Sequence, residues 1–118
     1  MGLAQDHGRA GETLAAAYLE IAGLAVTHRN VRLAGVEVDL VARERGTRVV
    51  VEVKLRNRAD YGGAVAAVDG RKRERLRQAA RALLAEGRGP VRVDVIAMDL
   101  TADGLALRHV RNAVTDAG

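Results

Sequence analysis

Two acidic side chains and a lysine stand close together in the middle of this sequence. Asp39 lies in one β-rich segment, and Glu52 and Lys54 lie in the next, separated by a single residue. Because strand side chains alternate between faces, Glu52 and Lys54 share a face. A pair of carboxylates suits a hard cation such as Mg²⁺ or Mn²⁺, and a lysine beside them can orient a water or stabilise developing negative charge. The set is typical of phosphodiester hydrolysis.

A predicted hairpin determines which of these side chains face each other. Residues 36–43 and 48–54 are its strands, and residues 44–47 form a glycine-containing turn. In the register that pairs 44 with 47, Asp39 lies opposite Glu52 and Glu37 lies opposite Lys54. Opposed residues have Cβ atoms roughly 4.5–5.5 Å apart, so two carboxylates there repel each other unless a cation compensates. An odd-length loop or a bulge would shift this register.

Both faces of the hairpin also carry apolar residues. Alternation predicts one face with Val36, Val38, Leu40 and Ala42, and the other with Glu37, Asp39 and Val41. On the second strand, Val50 shares the face of Glu52 and Lys54, opposite Val49, Val51 and Val53. An alternative is that Glu37, Glu52 and Lys54 form ordinary ion pairs on a solvated face. The valines favour carboxylates in a covered cleft instead.

Elements before the hairpin must position it from one side. Residues 8–22 are predicted to form a helix with an apolar stripe of Leu14, Tyr18, Ile21 and Ala22. A strand over residues 24–32 and a turn at Ala34-Gly35 follow.

After the hairpin, residues 55–63 form a polar, glycine-bearing loop. Asp69 is the predicted N-cap of a second helix that ends near Glu86. Its predicted buried stripe is Leu76, Ala79, Ala80, Leu83 and Leu84. Strands over 91–100 and 105–110 complete the order αβββαβ(β), an α/β (α+β) fold with a central mixed sheet. Asp94, among valines, is the expected partner of an arginine, and the tail from Arg111 onward is expected to be loose.

Length and composition limit the functional classes. The 118 residues fit a single domain over 1–118, with a core of about 8–110. The absence of cysteine excludes disulfides and thiol catalysis, and the three histidines (His7, His28 and His109) lack metal-ligand spacing and are expected at the surface. No apolar run reaches the roughly 20 residues of a membrane span. With no apolar stretch near the N-terminus to serve as a signal peptide, a cytoplasmic location is expected.

The charge balance favours a nucleic-acid partner. The net charge is +4, and two tyrosines are the only aromatic residues, so base stacking is not expected to dominate binding. Seventeen arginines accompany only two lysines, Lys54 and Lys72, and a retained lysine marks a position where a compact point charge is needed. Lys72 lies four residues before Leu76, on the inward stripe of the second helix, with a core-margin lysine as the alternative.

The sequence, with its acidic residue followed by Glu-x-Lys on the next predicted strand, resembles the PD-(D/E)xK nuclease superfamily. Within that superfamily it resembles the YraN family of uncharacterised bacterial proteins, which is similar to Holliday-junction resolvases. The resemblance rests on ordered blocks between about Gly8 and Asp99: Gly8-x-x-Gly11-Glu12, Arg29-Asn30, Glu37-Val38-Asp39-Leu40-Val41-Ala42, Val51-Glu52-Val53-Lys54, Arg56, Tyr61-Gly62, Lys72 and Val93-Asp94-Val95-Ile96. The sequence departs from the family where Val36 separates Gly35 from Glu37 and where Tyr61 replaces a common phenylalanine.

The resemblance implies a restriction-endonuclease-like fold and a metal-dependent endonuclease acting on DNA, with branched or junction DNA as the expected substrate. The alternative is a nucleic-acid-binding protein of this fold without catalytic activity of its own. The implied catalytic residues are Asp39, Glu52, Lys54 and Glu12, and the implied ligands of Mg²⁺ or Mn²⁺ are Asp39, Glu52, the backbone carbonyl of Val53, and Glu12 through water. For Glu12, compensation of the helix dipole is the competing explanation. The expected DNA contacts are Lys72, Arg71, Arg75 and Arg56, and cutting a junction would require two active sites, hence a homodimer.

Overall fold

The computed structural model describes residues 3–56 and 70–115, with side chains described from residue 9 onward. Its elements are α1 (Leu3–Ile21), β1 (Ala25–Leu33), β2 (Val36–Glu44), β3 (Thr47–Arg56), α2 (Gly70–Leu84), β4 (Val91–Thr101) and β5 (Gly104–Val110). The predicted fold class and element order are confirmed, including the last strand. The predictions for Tyr61-Gly62, Asp69, most of the loop over 55–63 and the last three residues lie outside the described residues.

A five-stranded sheet in the order β1-β2-β3-β4-β5 forms the middle of the molecule. The β3–β4 pair is parallel, since α2 carries the chain back across the sheet, and the other pairs are antiparallel. Val49 and Val51 pack with α1, whereas Val50 packs with α2. Alternate residues of one strand thus meet different helices, which places α1 and α2 on opposite faces. The arrangement is a restriction-endonuclease-like α/β/α sandwich.

Helix α1 approaches the sheet through small residues. Gly11, Ala15, Ala16 and Leu19 are buried, and a Cβ added at Gly11 would lie 3.5 Å from Leu55 Cβ. The predicted stripe is therefore wrong for Leu14 and Ile21, which are 47% and 87% exposed. At Gly11 the helix lies too close to Leu55 of β3 for a bulky side chain. The helix also begins five residues before its predicted start at residue 8, and it contains both Gly8 and Gly11.

Helix α2 covers the other face with Leu76, Ala79 and Leu83, as predicted. Ala80 is partly buried, but Leu84, the last residue of the helix, is 53% exposed, so the predicted stripe is wrong there. Among the described residues, no helix is both long and apolar enough to cross a membrane.

The predicted hairpin register is confirmed from Glu44–Thr47 to Leu40–Val51, where the β2–β3 ladder ends. The predicted pairing of Asp39 with Glu52 and that of Glu37 with Lys54 both fall beyond this ladder, so neither pair is part of it. Glu37 is exposed and faces Arg32 of β1 instead. Beyond Leu40 the two strands are no longer paired, which opens a gap beside Asp39.

The predicted single face of β2 is also wrong. Val36 and Val38 pack on the α2 side with Val41, whereas Leu40 and Ala42 pack on the α1 side. The alternation therefore breaks at Asp39. In β1, the residue between the partners of Val38 and Leu40 is Asn30, which has a φ of 51°. Asparagine tolerates this left-handed conformation better than most residues, so it accommodates the bend that both strands share at this point.

Candidate active site

Glu52 is the buried acid at the centre of the candidate site. It lies on β3, two residues from Val50, and therefore on the face that α2 covers. Its side chain is 3% exposed, and its Oε2 atom lies 3.4 Å from Lys54 Nζ and 3.2 Å from Lys72 Nζ. Lys54 reaches Oε2 from the same strand face, and Lys72 reaches it from the inward stripe of α2. The predicted inward direction of Lys72 is thus confirmed.

Asp39 lies in the gap where β2 and β3 separate. Its Oδ2 atom accepts a hydrogen bond of 2.8 Å from the backbone N–H of Val53. In a strand, the N–H and C=O of one residue point toward the same neighbouring strand. The Val53 carbonyl is therefore directed to the β2 side as well. Asp39, Glu52 and the Val53 backbone, which the sequence separates by up to 14 positions, meet at this gap.

The environment of Glu52 disfavours its ionised form. Burial, together with the negative charge of Asp39 and a hydrogen bond between the two carboxyl groups, raises the pKa of Glu52 to about 7. The positive charges of Lys72 and Lys54 oppose this rise only in part. Among the described residues, no hydrogen-bond partner reaches the buried Glu52 Oε1 atom. Burying a polar atom without a hydrogen-bond partner lowers the stability of the folded protein. The arrangement of Glu52 is therefore not explained by stability.

Glu12 approaches the same place from α1. Burial raises the pKa of this half-buried carboxyl, a hydrogen bond with Asn30 lowers it, and the charge of Asp39 raises it again. This electrostatic coupling indicates that Glu12 lies near Asp39, whereas its implied role at a metal stays a prediction. The role of Asn30 was missed in the sequence, although the Arg29-Asn30 block and the tolerance of asparagine for positive φ both pointed to it.

The donor atoms present fit a hard divalent cation. Two carboxylates, one with an unpartnered buried oxygen, and a backbone carbonyl on the same side are the oxygen ligands that Mg²⁺ and Mn²⁺ prefer. The described residues contain no group of three or more His, Cys, Asp or Glu side chains that could together hold a metal ion. The fit therefore depends on Asp39, Glu52 and the Val53 carbonyl, with Glu12 outside direct contact.

The burial of Glu52 decides between the two interpretations of the hairpin. The Glu52–Lys54 ion pair expected on a solvated face does form, but Glu52 itself is almost fully covered. With Glu52 buried and Asp39 half-buried, the two carboxylates do not lie on an open, solvated face. Of the predicted DNA contacts, Lys72 lies beside Glu52, Arg71 and Arg75 are exposed on α2, and Arg56 is half-buried at the end of β3.

The two histidines with described side chains, His28 and His109, have different surroundings. The expectation of a surface position holds for His28, whereas His7 lies outside the described side chains. It is wrong for His109, whose side chain is 5% exposed and contacts Asp94 and Tyr18. Its position on β5 opposite α1, which the sequence did not reveal, explains the burial.

Comparison with known proteins gives one consistent result. The family model described as "Uncharacterised protein family UPF0102" matches residues 11–98. A UPF0102 protein of Halorhodospira halophila is 44% identical over 109 residues, which cover 92% of this chain and 87% of that protein. UPF0102 proteins of Burkholderia pseudomallei and Burkholderia mallei are 50% identical over 95 residues, which cover 78% of this chain and 66% of each relative. The chain thus spans slightly less than two thirds of the Burkholderia proteins.

Proposed function

We propose that this chain, which belongs to the UPF0102 (YraN) family, is a metal-dependent endonuclease that hydrolyses phosphodiester bonds in DNA. The observation that carries the proposal is the buried Glu52 carboxylate beside Asp39, with one oxygen lacking a hydrogen-bond partner among the described residues. Strongly perturbed acids in a cleft, next to a second carboxylate and two lysines, are characteristic of chemical sites.

Asp39, Glu52 and the Val53 carbonyl would hold Mg²⁺ or Mn²⁺, with Glu12 as an acid that contributes through water. When bound, such a cation polarises a phosphoryl oxygen and lowers the pKa of a coordinated water. The Val53 N–H holds the Asp39 carboxylate in place through its 2.8 Å hydrogen bond, so this group requires little reorganisation.

Lys54 supplies the positive charge that the reaction requires. Its Nζ atom lies 3.4 Å from Glu52 Oε2, and its side chain is about one-third exposed, so it reaches both the acid and an incoming phosphate. We assign it to orient the attacking water and to stabilise the charge that develops on the phosphoryl oxygens. Lys72, which is 31% exposed at the same carboxylate, contacts a phosphate of the substrate.

The DNA-binding surface is formed by the basic side of α2 around this cleft. Arg71 and Arg75 are exposed, and Arg56 lies at the end of the strand that carries Glu52. Contacts from arginine to phosphate fix position without reading bases, so recognition depends on DNA structure rather than sequence. Branched or junction DNA, cut by a homodimer, is the substrate that the family resemblance favours.

A second candidate is a DNA-binding protein of this fold that does not cut. The observation in its favour is that Lys54 and Lys72 both pair with Glu52 and so compensate its charge without a metal. The two candidates differ in what Asp39 does, because only the nuclease requires its carboxylate for turnover.

The test is Mn²⁺- and Mg²⁺-dependent cleavage of a four-way junction against a linear duplex of the same arms. Wild type is compared with Asp39→Asn and with Asp103→Asn, a matched change at an exposed turn. We expect cleavage by wild type and Asp103→Asn only. Binding without cleavage by wild type supports the second candidate, and equal cleavage by Asp39→Asn rejects the assigned site.

A further inference from the structure

A basic cavity lies on the α2 face, at the opposite end of α2 from Lys72. It has a volume of about 210 Å³ and is bounded by the C-terminal end of α2 and by β1, β2 and β3. Valine and leucine side chains form one part of its wall, and Arg43, Arg48, Arg88, His28 and Glu86 form the other. Arg48 is four residues before Glu52 on β3, which separates the two sites by about 13 Å along the strand.

The charges around this cavity are not balanced. Arg43 and Arg48 lie directly opposite each other in the β2–β3 ladder, a position where like charges destabilise a sheet. Arg88 adds a third guanidinium, and Glu86 is the only carboxylate among the lining residues. With His28 neutral, three positive charges and one negative charge leave the cavity with a net charge of +2.

Arg48 has an unused donor in this setting. Its side chain is only 10% exposed, its Nη1 atom donates to Glu86 Oε1 at 2.8 Å, and its Nη2 atom donates to the Leu83 carbonyl at 2.7 Å. Those two contacts explain how Arg48 holds the end of α2. They leave the buried Nε–H without an acceptor in the described part of the chain. Buried donors are normally satisfied, so an exception in a positively charged cavity points to a ligand.

We propose that this cavity binds the oxyanion of a phosphoryl group, with the Arg48 Nε–H as a hydrogen-bond donor and with Arg43 and Arg88 as neutralising charges. Two excess positive charges match a phosphoryl group better than a carboxylate, which carries one negative charge. The volume is below the roughly 300–1,000 Å³ of pockets for drug-sized ligands, so the ligand is a phosphate with a small apolar part. Its source is either a free phosphorylated compound or a phosphate of the DNA backbone.

The test observes the donor itself. In ¹H–¹⁵N NMR spectra of the full chain, the Arg48 Nε–H signal is identified by its loss in Arg48→Lys, or by through-bond assignment if that variant does not fold. We expect inorganic phosphate, titrated at constant ionic strength, to shift this signal saturably. In the double variant Arg43→Gln/Arg88→Gln, binding should weaken by about tenfold or more, as expected when charge-assisted contacts are lost. Arg108→Gln, an exposed change on β5, is the matched control and should bind as wild type does.

Parallel titrations with a 5′-deoxymononucleotide and with a short duplex identify the source. Saturation by phosphate and the mononucleotide indicates a free compound. A shift with the duplex alone, which weakens steeply with salt, indicates a backbone phosphate. The proposal is rejected if none of the three probes shifts the signal saturably, or if the double variant responds as wild type does. Because the Arg48 signal lies about 13 Å along β3 from Glu52, its response to the probes is distinguishable from binding at the proposed nuclease site.

Discussion

Two buried carboxylates on neighbouring parallel strands, Glu52 of β3 and Asp94 of β4, have opposite surroundings. Asp94 is 0% exposed, and both of its oxygens are satisfied. Oδ1 accepts hydrogen bonds from Arg92 Nε and the Asn112 N–H, each 2.9 Å long, and Oδ2 contacts His109 Nε2 at 2.8 Å. The expectation that Asp94 pairs with an arginine is confirmed. Its contacts join β4 to β5 and, through the 2.9 Å contact of His109 with Tyr18, to α1.

Glu52 is equally buried but incompletely satisfied. Two lysines approach one of its oxygens at 3.2 and 3.4 Å, and the other oxygen has no hydrogen-bond partner among the described residues. A buried charge with saturated hydrogen bonds stabilises a fold, whereas a buried charge with an unused oxygen next to a second acid is arranged for a ligand. The comparison therefore supports a structural role for Asp94 and the proposed catalytic role for Glu52, and four measurements test this division.

The largest expected effect is on cleavage. Glu52→Gln should lower the Mn²⁺-dependent rate by about 10³-fold, because the loss of a charged ligand removes several kcal/mol of transition-state stabilisation at about 1.4 kcal/mol per tenfold. At pH 5, below the raised pKa of Glu52, the variant's free energy of unfolding should stay within about 1 kcal/mol of wild type, since glutamine keeps the shape of the protonated side chain. Single-turnover cleavage of a labelled junction and urea denaturation measure the two quantities.

For Asp94→Asn we expect a large loss of stability and a small effect on cleavage. The amide group would face donors from Arg92 and His109, so we expect a loss of about 3 kcal/mol in the free energy of unfolding, as for other broken buried ion pairs. Urea denaturation measures the loss, and cleavage is compared at a temperature where both proteins remain folded. If Asp94→Asn then cuts as slowly as Glu52→Gln, the division between the two acids is wrong.

The pH dependence of stability should be governed by Glu52. Its pKa is about 7 in the folded protein, against an ordinary value of 4.5 for the unfolded chain. The folded protein therefore binds more protons between these values, so the free energy of unfolding falls as the pH rises from 4.5 to 7. The loss should reach up to about 3 kcal/mol.

Urea denaturation in EDTA at pH 5 and pH 8 measures this loss. Glu52→Gln serves as the comparison and should show a smaller change, with Glu12, whose pKa is also raised, contributing in the same direction. An equal pH dependence in both proteins would show that ionisation of Glu52 does not cause the loss of stability.

The sequence predicted much of this site because the motif is local. The turn at 44–47 and the alternation of β3 were sufficient to predict that Asp39 lies near Glu52 and that Lys54 shares the face of Glu52. The four-residue spacing of Lys72 and Leu76 was sufficient to direct Lys72 inward. These inferences required only strand and helix periodicity over a few residues.

The inferences that failed depended on how separate elements meet. The bend at Asp39 arises from an irregularity shared with Asn30 in another strand, and no pattern within β2 alone reveals it. The buried face of α1 was misassigned because the sheet selects Gly11 and the alanines for close approach, while periodicity favours the larger Leu14 and Ile21. The cavity at Arg48 was missed because its lining comes from four different elements.

The smallest expected effect concerns Lys72, whose positive charge at Glu52 Oε2 would oppose the binding of a cation to the same carboxylate. Lys72→Met should tighten Mn²⁺ binding by about two- to fivefold in calorimetric titration, because a half-exposed ion pair contributes roughly 0.5–1 kcal/mol. Arg73→Gln, an exposed change on the same helix, should leave the affinity unchanged. Weaker binding in Lys72→Met would mean that the lysine holds Glu52 in position for the metal. In that case Lys72 would help to preform the metal site by fixing the Glu52 carboxylate. The lysine would then not be a counter-charge that opposes the metal.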